Sequence, residues 1–267
     1  MTPTVLVFDS GAGGLSVLDC VAAELPAVRL LYVADNAYFP FGTKEAAALA
    51  ARVETVLAEL ARRLAPDLIV IACNTASTVA LPAVRAAVAV PVVGTVPAIK
   101  PAAAVSATRV IGLLGTPGTV RREYTQALID SFARDCTVLR HGSTELVELA
   151  EHKLRGEPVA AAAVGAALAG LFEQPGGNRM DTVVLACTHF PLLRAELAAC
   201  APRPLRWIDS GGAIARRVAS LLGDAAGQDD ERPTHRALFT ARSAAVEKMR
   251  PALAQHGLDE VAFLDEL

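Results

Sequence analysis

Two cysteines each stand directly after a short apolar run and before two hydrogen-bonding side chains. Cys73 follows Leu68–Ala72 and precedes an amide and a hydroxyl, whereas Cys187 follows Thr182–Ala186 and precedes a hydroxyl and an imidazole. Such runs are typical of strands buried in a parallel sheet, and ligands bind at the carboxyl ends of these strands. A single cysteine there is usually core filler. Two in matching contexts predict two half-sites that each offer one thiol to a shared cleft.

Two thiols facing one cleft are suited to proton transfer at a carbon atom between them. To invert a stereocentre, a base on one face removes a proton while an acid on the other face returns one. The thiol pKa, near 8.5 in free cysteine, is lowered by nearby donors or cations, so both protonation states are accessible near neutral pH. Asp9 and His189 are the polar partners predicted to tune or relay protons to the thiols.

Other chemistries fit part of this pattern. Nucleophilic catalysis by Cys187 with His189 as its base leaves Cys73 unexplained. A zinc site from the two thiols, His189 and Asp9 has suitable ligand types, but neither it nor a redox pair has the C-x-x-C motif. A two-lobed binder of small acidic molecules explains two halves but not the thiols. No lysine follows a convincing phosphate-binding loop, so we expect no pyridoxal phosphate, and the missing chelate spacing predicts no metal.

The composition predicts a compact globular protein. Of its 267 residues, 53% are hydrophobic and 20% charged, enough for one large or two small domains. The net charge of −3 gives no basic field for a nucleic acid or an anionic membrane, and no run is long enough to span a bilayer. Five cysteines without regular spacing, and no signal segment before the first strand, favour a reduced, cytoplasmic location.

Strand and helix patterns alternate along the chain, which predicts an α/β fold with mainly parallel sheets. The strand-like runs are residues 5–8, 30–34, 68–72, 90–94, 110–114, 137–139, 182–186, 205–209, 237–240 and 261–264. Helical patterns fill the intervals, among them a continuous one over 120–133 and one from Pro191 to Ala199.

The alternation restarts after a crossing at Pro97 and Pro101, and the last two strand-like runs are expected to pack back onto the first half. We therefore predict two similar lobes with the active site in the cleft between them. The first comprises residues 1–97 and 210–267 and carries Asp9 and Cys73. The second comprises residues 98–209 and carries Cys187 and His189.

A glycine-rich loop, Asp9–Gly14, lies between the first strand and the first helix. Its glycines let the backbone approach a ligand, and the helix N-terminus offers free N–H groups to an anion. The loop is not a dinucleotide fingerprint, because Ser16 stands where the third glycine would fall, and it is not a phosphate loop, because no lysine follows.

Three segments together resemble the glutamate racemase family of bacterial wall synthesis, within the aspartate/glutamate racemase superfamily. They are Asp9–Val17, Ala72–Ser77 and Cys187–Leu193, and agreement extends from Val5 to about Ser210. The resemblance implies two pseudo-symmetric flavodoxin-like lobes and no cofactor. It implies racemisation of L-glutamate to D-glutamate for peptidoglycan, and it allows a homodimer.

The resemblance also implies roles for individual residues. Cys73 and Cys187 are the acid/base pair, Asp9 and His189 assist them, and Glu151 stands near His189. The residues implied to hold the amino acid are Asp9, Ser10, Phe41, Gly42, Asn74, Thr75, Thr116, Thr119, Thr188 and His189.

The sequence departs from the family pattern at two places. Phe41 stands where the family usually has tyrosine, so a contact through that hydroxyl is lost while backbone contacts remain available. Residues 142–144 replace the Ala-Cys-Pro common before the Glu151 helix.

Little chain precedes the first strand, so regulation by a wall precursor is not expected. Among enzymes, the second hypothesis is a racemase specific for aspartate. Outside enzymes, the alternative is a protein that binds small acidic ligands.

Overall fold

The computed structural model describes residues 2–223 and 233–264, which form two parallel sheets flanked by helices. The chain begins with β1 (Thr4–Asp9), α1 (Leu15–Glu24), β2 (Arg29–Ala34), α2 (Ala46–Leu64), β3 (Leu68–Ile71), α3 (Asn74–Ala87) and β4 (Val92–Gly94). It continues with α4 (Ile99–Val105), β5 (Val110–Gly115), α5 (Pro117–Arg121), α6 (Glu123–Phe132), β6 (Thr137–Gly142), α7 (Glu145–Leu154), α8 (Ala161–Phe172), β7 (Thr182–Ala186), α9 (Arg194–Cys200) and β8 (Arg206–Ile208). The remaining elements are α10 (Gly211–Leu222), β9 (Arg236–Phe239), α11 (Ala244–Gln255) and β10 (Glu260–Phe263).

The strands divide between a first lobe, built on the six-stranded sheet β10-β9-β2-β1-β3-β4, and a second lobe, built on the four-stranded sheet β6-β5-β7-β8. All neighbouring strands within each sheet run parallel. The predicted α/β class with two lobes is confirmed, as is the return of the last two strands to the first half. The predicted limits at residues 97/98 and 209/210 stay a prediction.

Each sheet buries both of its faces, which explains the continuous apolar runs. Along β1, Val5 and Val7 belong to one hydrophobic cluster, while Leu6 and Phe8 belong to another on the opposite face. Side chains of β5 alternate in the same way between two clusters of the second lobe. None of the described helices is both long and apolar enough to cross a bilayer.

Strand register brings the predicted site residues to one edge of each sheet. Asp9 ends β1 opposite Ala34 of β2, and β3 on the other side of β1 ends just before Cys73. In the second lobe, β7 ends just before Cys187, beside the end of β5. Because the carboxyl ends of the two sheets face each other across the cleft, both thiols meet in one cavity.

The prediction of one helix over 120–133 is wrong, because the backbone of Arg122 is extended (φ −69°, ψ 144°) and separates α5 from α6. One side-chain hydrogen bond accounts for the break. The Thr125 hydroxyl donates to the Thr119 carbonyl at 2.6 Å, an acceptor that a continuous helix would offer to residue 123. Thr116 caps the start of α5. The helix predicted from Pro191 is likewise preceded by a 3₁₀ turn, Phe190–Leu193, and begins at Arg194.

Candidate active site

A cavity of about 150 Å³ lies between the carboxyl ends of the two sheets. This volume has room for on the order of ten water molecules, the scale of a small metabolite. Nine predicted binding residues line it: Asp9, Ser10, Phe41, Gly42, Asn74, Thr75, Thr116, Thr188 and His189. Cys73 and Cys187 also line it, whereas Thr119 lies behind Thr116 and Glu151 behind His189.

Cys73 caps the N-terminus of α3, where its Sγ accepts a hydrogen bond from the Ala76 N–H at 3.5 Å. Burial raises the pKa of the Cys73 thiol well above its usual value, and the negative charge of Asp9 raises it further. The Ala76 N–H opposes both effects by stabilising the thiolate. Burial, and the charge of Asp9 when it is ionised, therefore both favour the protonated form of Cys73.

Asp9 is a fully buried carboxylate at the end of β1. It accepts hydrogen bonds from the Ser10 N–H at 2.6 Å and from the Thr188 hydroxyl, across the cleft, at 2.7 Å. Burial raises the pKa of Asp9, although the charge of His189 and the hydrogen bonds from Thr188 and Ser10 lower it in part. Asp9 thus joins the Cys73 side of the cleft to the loop that carries Cys187.

Cys187, His189 and Glu151 form a hydrogen-bonded chain within the second lobe. The Cys187 Sγ lies 3.8 Å from His189 Nδ1, and His189 Nε2 lies 2.8 Å from Glu151 Oε1. Burial disfavours a charged imidazole, but the hydrogen bonds to Cys187 and Glu151 outweigh it and raise the pKa of His189 well above its usual value. Burial also opposes ionisation of Glu151, whose pKa is nevertheless lowered by His189 and the Ala12 N–H. The imidazolium is therefore stabilised between the sulfur of Cys187 and the carboxylate of Glu151.

The glycine-rich loop of the first lobe holds this chain from the opposite side. Its Ala12 N–H donates to Glu151 Oε1 at 2.8 Å, so the anion that the loop binds is a carboxylate of the protein itself. A Cβ at Gly11 would lie 2.6 Å from that oxygen, and one at Gly13 would lie 2.3 Å from His189 Nδ1. Close approach therefore explains these two glycines.

Three threonine hydroxyls form a second contact between the lobes. Thr75, at the start of α3, lies 3.4 Å from both Thr116 and Thr119 of the second lobe, which are themselves 2.9 Å apart. Beside them, Asn74 Oδ1 is buried and accepts no hydrogen bond from any described residue. A buried acceptor without a donor is costly, so this oxygen is available to a donor group of a ligand.

Phe41 lines the cavity, but its ring is buried in the hydrophobic core. Its ring is 1% exposed and packs within 6.2 Å, centroid to centroid, of both Phe8 and Tyr38 in the core. The ring of Phe41 therefore contributes to core packing. The next residue, Gly42, also lines the cavity wall.

Six residues of the wall lie outside the predicted binding set: Phe39, Pro40, Thr43, Thr144, Val147 and Glu148. Three of them had a usable signal. Thr144, Val147 and Glu148 precede Glu151 by seven, four and three residues, which is the spacing of one helix face. Phe39, whose ring centroid lies 6.0 Å from that of His189, is placed by a tertiary contact that no local pattern shows.

Two observations bear on the zinc and redox alternatives. Among the described residues, no three His, Cys, Asp or Glu side chains come together as a group that could hold a metal ion. All five cysteines are free, so Cys73 and Cys187 do not form a disulfide. The arrangement instead offers two thiols in different electrostatic settings on the wall of one small cavity.

The sequence profile of the Asp/Glu/Hydantoin racemase family matches residues 6–218. The chain is 48% identical over 255 residues to the glutamate racemase of Klebsiella pneumoniae (strain 342), covering 96% of this chain and 89% of that protein. It is 54% identical over 217 residues to the glutamate racemase of Sphingopyxis alaskensis, covering 81% of each. The crystal structure of Escherichia coli glutamate racemase in complex with L-glutamate and the activator UDP-MurNAc-ala is 45% identical, with a TM-score of 0.91 over 99% of this chain and 98% of that one.

Proposed function

Because the chain belongs to the Asp/Glu/Hydantoin racemase family, as a glutamate racemase, we propose that it interconverts L- and D-glutamate with Cys73 and Cys187 as the acid/base pair. The observation that carries the mechanism is that the two thiols line one cavity from different lobes and have different polar partners. Supply of D-glutamate for peptidoglycan is the purpose that we assign to the reaction. The predicted homodimer and cytoplasmic location stay predictions.

Starting from L-glutamate, the Cys187 thiolate removes the α-proton while the His189 imidazolium balances its charge. The electron pair of the broken C–H bond passes to the α-carbon and its carboxylate. The Cys73 thiol, kept protonated by burial and Asp9, then delivers its proton to the opposite face. Cys73 ends as the thiolate and Cys187 as the thiol, which is the state that accepts D-glutamate for the reverse reaction.

The substrate has two carboxylates and one ammonium group, and the described wall contains no lysine or arginine. The donors available to the carboxylates are therefore hydroxyl, side-chain amide and backbone N–H groups and the His189 imidazolium. Ser10, Thr75 and Thr116 supply hydroxyls on the wall, and Asn74 Oδ1 is the acceptor that receives the ammonium group. Donors around the α-carboxylate stabilise the charge that develops there when the C–H bond breaks.

Incubation of the protein with L-glutamate in heavy water tests this function. We expect circular dichroism of the amino acid to fall to zero as the enantiomers equalise, and proton NMR to show deuterium at Cα. L-Aspartate, run in parallel, is expected to show much slower exchange. Binding of glutamate without exchange would indicate a binding protein, and faster exchange with aspartate would indicate the other specificity.

A further inference from the structure

The break between α5 and α6 places Arg122 at the interface of the two lobes. From the second lobe, its Nη1 donates to the Thr78 hydroxyl at 2.7 Å and to the Thr75 carbonyl at 3.4 Å. Both acceptors belong to the first turns of α3, the helix that Cys73 caps. In a helix continuous through residue 122, the side chain would take another direction, so the unpredicted break is what brings the guanidinium here.

The half-buried Arg122 is a cation without a carboxylate partner among the described residues. Burial lowers the pKa of its guanidinium, and attraction to Cys73 opposes that shift. Arginine nevertheless stays protonated in proteins, so a full positive charge stands beside the first turns of α3. Cys73 is the titratable group whose negative charge, once the thiol ionises, this guanidinium attracts.

The two half-sites differ in the charges that support a thiolate. Cys187 has the imidazolium of His189 within hydrogen-bonding distance. Cys73 has Asp9 as its charged neighbour in the cleft, and that negative charge opposes ionisation of the thiol. The reverse reaction needs a Cys73 thiolate, and thus a positive charge on this side as well.

We propose that Arg122 is a positioning residue of the Cys73 half-site, which fixes the first turns of α3 from the opposite lobe and supplies the positive charge that a Cys73 thiolate needs. The inference rests on the proposed function, because only a two-thiol reaction requires Cys73 to ionise. It assigns to the second lobe a part in the chemistry of a thiol carried by the first.

The test compares Arg122→Gln, which removes the charge, with Arg122→Lys, which keeps it. Iodoacetamide labelling at a series of pH values, read by mass spectrometry of the separate peptides, gives the thiolate population of each cysteine. We expect Arg122→Gln to decrease labelling of Cys73 about ten-fold at a given pH, with Cys187 unaffected. Arg122→Lys should restore most of it.

Racemisation supplies the second measurement. L- and D-glutamate have equal free energies, so kcat/KM must change by the same factor in both directions. We expect Arg122→Gln to reduce it about ten-fold, and Arg122→Lys to recover part of that loss. Arg121→Gln is the matched control: its side chain is exposed, it removes the same charge one residue away, and it should leave both measurements unchanged.

Normal labelling of Cys73 in Arg122→Gln, or equal loss at Cys73 and Cys187, would overturn the proposal. If that variant folds poorly, Thr78→Val decides, because it removes the hydroxyl that receives the guanidinium and leaves every charge in place. It should reduce Cys73 labelling by a smaller factor, and normal labelling would again contradict us. Labelling needs no turnover, so an inactive wild-type protein would refute the proposed function separately.

Discussion

The imidazole of His189 lies against the backbone of Gly13 so closely that a methyl group at residue 13 would come within 2.3 Å of Nδ1. Gly13 belongs to the first lobe and His189 to the second. The contact therefore sets the separation of the lobes at the point where the imidazole meets Cys187. The nitrogen that a methyl group would strike is the one that faces the thiol, at 3.8 Å.

Gly13→Ala should displace the His189 ring and lower kcat at least ten-fold, because small misplacements of reacting groups cost up to about 100-fold in rate. The measurement is racemisation of L-glutamate at saturating substrate. Gly165→Ala in α8 is the control, since a Cβ there meets nothing within 4 Å. In a helix interior that change stabilises by about 0.5–1 kcal/mol. A normal kcat in Gly13→Ala would show that the imidazole can move without loss.

The thiols could be predicted from the sequence because each lies in a local pattern, an apolar run that ends in cysteine. The partners of His189 could not be predicted from local patterns. The bond from the Ala12 N–H to Glu151 joins residues 139 positions apart, and only the packing of one lobe on the other creates it. The loop could be predicted to bind an anion, but the sequence holds no sign that the anion is Glu151.

The position of Arg122 could not be predicted from the sequence either, but for a different reason. Helical periodicity continues through 120–133, and the break comes from one side-chain bond, between the Thr125 hydroxyl and the Thr119 carbonyl. Such bonds compete with helix hydrogen bonds without altering the apolar pattern. The fold class could be predicted because strand and helix periodicities are strong over long segments. Helix ends could not, because they depend on single side chains.

Glu151→Gln should lower the pKa of His189, because it removes the negative charge that the imidazolium faces at 2.8 Å. NMR of the imidazole nitrogens over a pH series measures this directly. His152→Gln, one residue away on a more exposed side chain, is the control and should leave the titration of His189 unchanged. If the pKa of His189 is unchanged in Glu151→Gln, Cys187 alone stabilises the imidazolium.

The same pair predicts how stability depends on pH. The pKa of His189 is raised from 6.5, so its contribution is fully present below pH 6.5 and is lost as the pH rises through the folded value. The pKa of Glu151 is lowered from 4.5, so its contribution is present above pH 4.5 and is lost as the pH falls through its folded value. The difference in unfolding free energy between wild type and Glu151→Gln should therefore be largest between these two limits, as urea titrations at several pH values would reveal.

Asp9→Asn should increase iodoacetamide labelling of Cys73 at neutral pH, because the negative charge that raises the thiol pKa is removed. It should also raise the melting temperature at pH 7. The folded pKa of Asp9 is raised from 3.8, so its contribution to stability is greatest below pH 3.8 and is lost as the pH rises through the folded value. The difference in melting temperature should accordingly shrink towards pH 3.8. A lower melting temperature at pH 7 would show that the hydrogen bonds from Ser10 and Thr188 outweigh the cost of burying the charge.

Cys73→Ser and Cys187→Ser should each stop full racemisation, but they should leave different partial reactions. In the proposed mechanism, Cys187 takes the proton from L-glutamate and Cys73 takes it from D-glutamate. The surviving thiolate can still abstract from its own enantiomer, so Cys187→Ser should retain more deuterium exchange on D-glutamate and Cys73→Ser more on L-glutamate. The loss of racemisation should reach the 10²- to 10⁴-fold typical of a general acid or base.

The test measures deuterium exchange by both variants with both enantiomers in heavy water. Cys200→Ser is the control, because that thiol lies outside the cavity wall and should not alter either exchange. Full racemisation by either single variant would rule out the two-thiol mechanism, since one face of the α-carbon would then be served by another group. Equal residual exchange on both enantiomers would keep the two thiols but remove the assignment of each to one face.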